Sequence, residues 1–105
     1  MEEQNKGLEI IQEKKNGILT VKLSGWLDPN TSPTLINEIN LDGVKKLEFD
    51  MSKVEYVFSA GLRSFLIFQR LMTAQNGSMK LINVSEQVRQ IFEYAGFEGM
   101  LEKRA

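Results

Sequence analysis

The spacing of hydrophobic and polar residues changes along the chain, and the changes mark a succession of strands and helices. Four runs are predicted to be β-strands, at positions 8–14, 19–24, 44–51 and 79–84, and apolar and polar residues alternate in the second and third of them. Asn16-Gly17 joins the first two runs and is typical of the tight turn of a hairpin. Gly25 is predicted to end the second strand, and residues 26–30 are predicted to form a loop.

Between the strands, apolar residues recur at spacings of three and four, which predict helices with one buried face. Thr31 or Ser32 is predicted to cap the first helix, with Pro33 in its opening turn, where a missing N–H costs little. The longest helix is predicted to begin at Ser59 and to stop at Asn76-Gly77. One face of it is predicted to carry Leu62, Phe65, Leu66, Gln69 and Met72. Its apolar surface is predicted to extend beyond this stripe to Ile67, Phe68 and Leu71, with Phe68 in the core.

The last helix is predicted to be capped by Ser85 and ended by Gly96, with a short final strand at 100–102. The resulting order, ββαβαβα with that last strand, predicts a small α/β fold. Its mixed sheet would carry an antiparallel hairpin followed by parallel strands, with helices packed on it. We expect residues 1–105 to form one domain, in which residues 1–7 are a flexible polar N-terminus.

The amino-acid composition argues against several kinds of functional site. The 105 residues carry a formal net charge of −1, so the basic surface that nucleic-acid binding needs is not expected. Cysteine and histidine are both absent, which excludes disulfides, thiolate catalysis, histidine-based triads and most transition-metal sites. We expect no cofactor and no metal. No apolar run is long enough to span a membrane and the N-terminus has no signal-peptide pattern, so a cytoplasmic protein is expected.

The candidate for chemistry is Ser59, at the junction between a strand-like run and the longest helix. A serine at this position is predicted to be the helix N-cap, with its hydroxyl beside unpaired backbone N–H groups. The same N–H groups and the helix dipole also favour a phosphate. Ser59 is therefore either a cap alone or a cap that is also a phosphorylation site.

With the predicted strand order in place, the chain resembles the STAS family, and within it the stand-alone bacterial anti-sigma factor antagonists. The segments that carry this resemblance are Gly25-Trp26-Leu27-Asp28, residues 47–54, residues 56–63 around the serine, and Leu81-Ile82-Asn83-Val84-Ser85. The chain departs from the family at Phe58, because many members have Asp, and others Ser, before the acceptor serine.

The resemblance implies a partner-switching mechanism. The unphosphorylated domain would bind an anti-sigma factor that is also a serine kinase, and so release a sigma factor. Phosphorylation of Ser59 would abolish binding, and a PP2C-type phosphatase would restore it. The candidate partner-binding residues are Trp26, Asp28, Phe58, Ala60, Gly61 and Arg63, and the protein is expected to be a monomer in isolation.

Four of these residues also have a structural alternative. Gly61 would allow close packing of the helix start against a strand. Asp28 would be a solvated loop or cap residue, and Arg63 a solvated helix residue. Trp26 would be either a core residue or an exposed anchor for a partner.

Two other function classes compete with the antagonist. One is a STAS scaffold or ligand-sensing subunit of a larger complex, stressosome-like or lipid-transporting, that works without phosphotransfer. The other is an enzyme, which the sequence disfavours because Ser59 has no histidine to activate it. The polar residues Asp28, Asp50 and Lys53 form no recognisable catalytic set.

Overall fold

The chain folds in the order ββαβαβα, as the sequence predicts. The computed structural model describes residues 7–103. Its strands are β1 (Leu8–Lys15), β2 (Ile18–Leu27), β3 (Lys46–Val57) and β4 (Ser78–Ile82). Its helices are α1 (Ser32–Glu38), α2 (Ser59–Ala74) and α3 (Glu86–Ala95), followed by a 3₁₀ turn (Glu98–Met100). The strands form one sheet in the order β1-β2-β3-β4, in which β1 is antiparallel to β2 and the others are parallel.

The helices cover one face of this sheet and leave the other face to solvent. Along β2 the exposed Lys22 interrupts a buried series formed by Leu19, Val21 and Leu23. Both parallel connections step in the same direction across the sheet, so right-handed crossovers place α1 and α2 on one face. Buried aromatic rings connect the sheet to the helices. The ring centroid of Phe65 on α2 lies 5.0 Å from that of Phe49 on β3 and 5.9 Å from that of Phe92 on α3.

Several local sequence signals are confirmed. Asn16 and Gly17 both have left-handed backbone angles, φ 53° and 80°, as a two-residue hairpin turn requires. Ser85 caps α3, since its hydroxyl accepts a hydrogen bond from the Val88 N–H at 3.2 Å. Gly96 ends the same helix with φ 81°.

The predicted final strand is reduced to a single bridge. Leu101 pairs in parallel with Leu81 of β4, and the Glu102 N–H donates to the Leu81 carbonyl at 2.9 Å. β4 itself ends at Ile82, two residues short of its predicted end, because Asn83 takes a left-handed φ of 57°.

The predicted end of β2 at Gly25 is wrong. The strand continues through Trp26 to Leu27, with Gly25 inside it at φ 113°. The Trp26 N–H donates to the Gly7 carbonyl at 2.7 Å, so pairing with the chain before β1 continues beyond Gly25. Gly25 therefore bends β2 and does not end it. Gly7, predicted to be flexible, is thereby tied to β2, and the rest of that prediction falls on residues 1–6, outside the described range.

The predicted end of β3 at Met51 is also wrong, because the strand runs on to Val57. The register between β2 and β3 shifts between Lys22 and Ser24. Beyond that irregularity the alternation stops, and the buried positions of β3 follow a spacing of three at Met51, Val54 and Val57. A search for period-two alternation therefore loses the second half of this strand.

Helix α2 presents a slightly different face to the core from the predicted one. Phe65 and Met72 are buried as predicted, whereas Leu62, Leu66 and Gln69 are only partly buried. Phe68, predicted to widen the apolar surface of the helix, is buried as well, and Gly61 and Ser64 complete the buried face. No helix among residues 7–103 is long and apolar enough to span a membrane.

Candidate functional site

The connection between β3 and α2 consists of one residue, Phe58. Its backbone is extended (φ −86°, ψ 173°), its N–H donates to the Leu27 carbonyl at 2.8 Å, and its carbonyl accepts from the Leu62 N–H at 3.0 Å. Phe58 is therefore the N-cap residue, and Ser59 is the first residue of the helix. The prediction that Ser59 caps α2 is wrong, because the chain turns into the helix one residue earlier.

As a result, the Ser59 hydroxyl is free for other chemistry. Ser59 is exposed, and its hydroxyl makes no hydrogen bond to any residue between 7 and 103. The first N–H groups of a helix have no partner inside it, and no side-chain cap of α2 is found among residues 7–103. The backbone N–H groups of Ser59, Ala60 and Gly61 therefore belong to the same helix turn as the exposed hydroxyl, at the positive end of the helix dipole.

Gly61 lets the helix start approach the ends of β2 and β3. A Cβ at this position would lie 2.8 Å from Leu27 Cβ, 2.9 Å from Val57 Cγ1 and 3.1 Å from the Leu27 carbonyl oxygen. Both neighbouring side chains are fully buried. The packing alternative for Gly61 therefore matches the geometry, and a direct contact between this buried residue and a partner stays a prediction.

The segment after β2 is held by Asp28 and Thr31. One Asp28 carboxylate oxygen, Oδ1, accepts hydrogen bonds from the Asn30 and Thr31 N–H groups, each at 2.9 Å. The Thr31 hydroxyl accepts from the Asp28 N–H at 3.0 Å and donates to the Trp26 carbonyl at 2.8 Å. Thr31 therefore does not cap α1 with its side chain, and Asp28 organises the turn that leads into that helix.

The two segments meet at the same edge of the sheet. Leu27 and Val57 are paired in the parallel register of β2 and β3, so Asp28 and Phe58 follow directly from paired residues. The second carboxylate oxygen of Asp28 has no hydrogen bond within the described chain. This edge brings together the predicted acceptor Ser59 and the predicted partner-binding residue Asp28.

Three exposed aromatic rings form a cluster beside Ser59. Trp26 and Tyr56 are register partners on β2 and β3, and Phe58 packs on both of them. The ring centroids of Trp26 and Phe58 are 6.1 Å apart, and those of Tyr56 and Phe58 are 4.7 Å apart. Trp26, Tyr56 and Phe58 remain 44%, 39% and 38% exposed. Of the two alternatives for Trp26, the structure shows the exposed one.

Sequence reasoning assigned no role to Tyr56 or Glu55, which belong to the same surface. A Glu55 carboxylate oxygen, Oε1, accepts a hydrogen bond from the indole N–H of Trp26 at 3.2 Å. Tyr56 and Phe58 lie two positions apart, but this spacing does not indicate a shared face here, because the second half of β3 does not alternate and Phe58 follows the strand. The contribution of Trp26 cannot be read from local spacing either, since it depends on the register between distant strands.

Arg63 and Ala60 complete the set of predicted site residues. Arg63 lies one turn after Ser59, a spacing that places both on the same face of α2. Arg63 is exposed and Ala60 is partly buried. In the described part of the chain Arg63 forms no ion pair, so its guanidinium is available to an anion or a partner beside Ser59.

A carboxyl group with a shifted pKa lies elsewhere, on the open face of the sheet. Burial raises the pKa of Asp50, but hydrogen bonds from the Ser52 N–H and hydroxyl, a hydrogen bond to Asn83 and the charge of Lys22 together hold it below its usual value. The Ser52 N–H lies 3.0 Å from the Asp50 carboxylate. This group supports the fold and takes no part in the edge around Ser59.

Residues 9–104 match the family described as the STAS domain. A putative anti-sigma factor antagonist of Bordetella bronchiseptica, BtrV, is 26% identical over 86% of this chain and 80% of its own length. The anti-sigma-B factor antagonist of Staphylococcus aureus is 25% identical over 77% of this chain and 78% of its own length. An antagonist acts by binding, so these relatives agree with the expectation that the chain is not an enzyme.

Solved structures give the same fold. The anti-sigma factor antagonist SpoIIAA in its unphosphorylated form superposes with a TM-score of 0.81 at 20% identity, covering 92% of this chain and 89% of SpoIIAA. The Bacillus cell fate determinant SpoIIAA in the phosphorylated form superposes with a TM-score of 0.73 at 19% identity, covering 92% of each chain.

Proposed function

The chain belongs to the STAS domain family, and we propose that it acts there as an anti-sigma factor antagonist controlled by phosphorylation of Ser59. In the unphosphorylated form it binds an anti-sigma factor that is also a serine kinase, and a sigma factor is released. Phosphorylation by that kinase ends the binding, and a PP2C-type phosphatase restores it. The observation that carries this proposal is the exposed, unbonded hydroxyl of Ser59 at the first position of α2.

The comparisons support the general role. The relatives from Bordetella bronchiseptica and Staphylococcus aureus are both named as antagonists of anti-sigma factors. The fold also matches a protein solved in unphosphorylated and phosphorylated forms. A regulatory protein of this kind would work in the cytoplasm as a monomer, without direct contact to nucleic acid.

The position of Ser59 allows phosphorylation without damage to the fold. Because its hydroxyl makes no hydrogen bond in the described chain, adding a phosphate breaks none. The phosphate would carry a charge of roughly −1.5 to −2 at neutral pH. The free N–H groups and dipole at the start of α2 favour that charge, and Arg63 lies one turn away. The domain would keep its structure while the surface seen by the partner changes.

Phosphorylation can nevertheless weaken the binding of a partner strongly. Burying a phosphate in an interface that lacks a matching cation leaves an unpaired charge, which costs several kcal/mol. A difference of about 5.5 kcal/mol between two states is enough to change a partner from almost wholly bound to almost wholly free. A single phosphate at the Asp28–Ser59 edge is therefore sufficient for a switch.

Phosphorylation with a purified anti-sigma kinase of the source organism and ATP tests the proposal. We expect one phosphate, located at Ser59 by mass spectrometry, and loss of kinase binding in a Ser59→Asp variant. Ser78→Ala is the matched control and is expected to leave phosphorylation unchanged, because Ser78 is an exposed serine at the opposite end of the parallel strands. Phosphate found only at other serines, or unchanged binding by Ser59→Asp, would reject the proposed switch.

A further inference from the structure

The aromatic cluster forms one wall of an open groove of about 660 Å³ beside Ser59. The groove is lined by Trp26, Glu55, Tyr56 and Phe58 from the strand ends and by Ser85 and Gln87 from the start of α3. Its size is that of a site for a whole side chain or a small ligand. Three aromatic rings, each more than a third exposed, are unusual on the surface of a single small domain and mark a contact site.

The charge of this groove is negative. Glu55 is an ionisable group in its lining, and its carboxylate is bound on one side by the Trp26 indole N–H. No lysine or arginine between residues 7 and 103 forms an ion pair with Glu55 or stacks on the three rings. The faces of aromatic rings attract cations, so the rings and the carboxylate favour the same kind of ligand.

We propose that this groove binds an arginine side chain of a protein partner. A guanidinium is planar, so it stacks on an aromatic face while its N–H groups donate to a carboxylate. The groove offers both contacts, with rings at Trp26, Tyr56 and Phe58 and a second carboxylate oxygen, Oε2, at Glu55 that has no hydrogen bond within residues 7–103. A purely apolar side chain would leave that carboxylate buried and unpaired, which is unfavourable.

The groove adjoins the edge that carries Ser59, because Phe58 belongs to both. A partner whose arginine enters the groove therefore lies over the start of α2. The inference rests on the proposed function only for the identity of the protein that supplies the arginine, which would be the anti-sigma kinase. It also assigns Phe58 a purpose, since an acidic or small residue there would remove the ring that joins the other two.

A peptide titration of the full chain tests the groove without any cognate partner. The probe is the tripeptide acetyl-Gly-Arg-Gly-amide, and its neutral isostere carries citrulline in place of arginine. The chain contains one tryptophan, so its indole N–H gives one NMR signal that reports directly on the groove. We expect saturable shifts of that signal with the arginine peptide, and binding about tenfold weaker for the citrulline peptide.

Variants of the chain locate the site. Glu55→Gln and Phe58→Ala are each expected to weaken arginine-peptide binding severalfold. The matched controls are Glu13→Gln, an exposed acid far away on β1, and Tyr94→Ala, which removes a ring that is 93% exposed on α3. Both controls are expected to leave binding unchanged.

Three results would overturn the proposal. The first is equal binding of the arginine and citrulline peptides, and the second is unchanged binding by Glu55→Gln. The third is concentration-dependent broadening of the tryptophan signal that Phe58→Ala abolishes, because the groove would then be occupied by a second copy of the chain. None of these results bears on whether Ser59 is phosphorylated, so the failure of one proposal is distinguishable from the failure of the other.

Discussion

Replacing Gly61 with alanine is expected to destabilise the domain, because the new methyl group has no space. It would lie 2.8 Å from Leu27 Cβ and 2.9 Å from Val57 Cγ1, closer than real side chains approach each other. The Leu27 carbonyl oxygen, 3.1 Å away, also accepts the hydrogen bond from Phe58 that holds the helix start. Relief of the clash therefore requires the first turn of α2 to move away from the sheet.

The size of the effect follows from two opposing terms. Overpacking of a well-packed core costs about 1–3 kcal/mol. Alanine in place of glycine inside a helix stabilises by up to about 1 kcal/mol. The net loss therefore lies between about 0 and 3 kcal/mol, and the middle of that range, about 1–2 kcal/mol, lowers the melting temperature of a domain of this size by roughly 4–16 °C.

Urea unfolding of Gly61→Ala, followed by far-ultraviolet circular dichroism and by the fluorescence of Trp26, measures this loss. Gly99→Ala is the matched control, because a Cβ at Gly99 would meet no atom within 4 Å. The control is expected to stay within about 0.5 kcal/mol of the wild type. A Gly61→Ala variant at least as stable as the wild type would show that close packing does not explain this glycine.

Three further substitutions test the local structure by the same urea assay. Ser85→Ala is expected to lower the free energy of unfolding by about 1 kcal/mol, because it removes the side-chain cap of α3. Ser59→Ala is expected to leave the free energy of unfolding almost unchanged, and equal losses in the two variants would contradict the assignment of Phe58 as the N-cap of α2. Ser32→Ala is expected to be neutral or stabilising, because the buried Ser32 hydroxyl has no hydrogen-bond partner among residues 7–103, and a loss above about 1 kcal/mol would reveal one. Asp50→Asn is expected to destabilise at neutral pH. Because the pKa of Asp50 is below its ordinary value in the folded state, its contribution is present above about pH 4 and is lost as the pH falls through the folded pKa, so a deficit independent of pH would contradict the charge argument.

The parts of the fold predicted from the sequence depend on local signals. The alternation in β2, the Asn16-Gly17 turn and the caps of α3 each lie within a few neighbouring residues, and the structure confirms them. The element order followed from such signals alone. The errors at the ends of β2 and β3 and at the start of α2 concern places where distant segments decide the outcome.

The main errors have separate physical causes. The end of β3 was missed because its buried positions follow a spacing of three after the register shift, and the end of β2 was missed because Gly25 bends that strand without ending it. The cap of α2 was placed one residue late because serine is a favoured N-cap residue and phenylalanine is not. Here the backbone of Phe58 is fixed by hydrogen bonds to Leu27 and Leu62, so the capping position does not depend on its side chain.

Phe58 joins the two halves of the candidate site. Its backbone sets the start of α2 and so exposes the Ser59 hydroxyl, while its ring completes the aromatic surface with Trp26 and Tyr56. The first role depends only on the backbone, and another residue at this position would preserve it. The second role depends on the side chain alone. The exposed position of Ser59 can therefore persist whichever residue precedes it, and in the proposed switch the side chain of that residue decides which partner the surface fits.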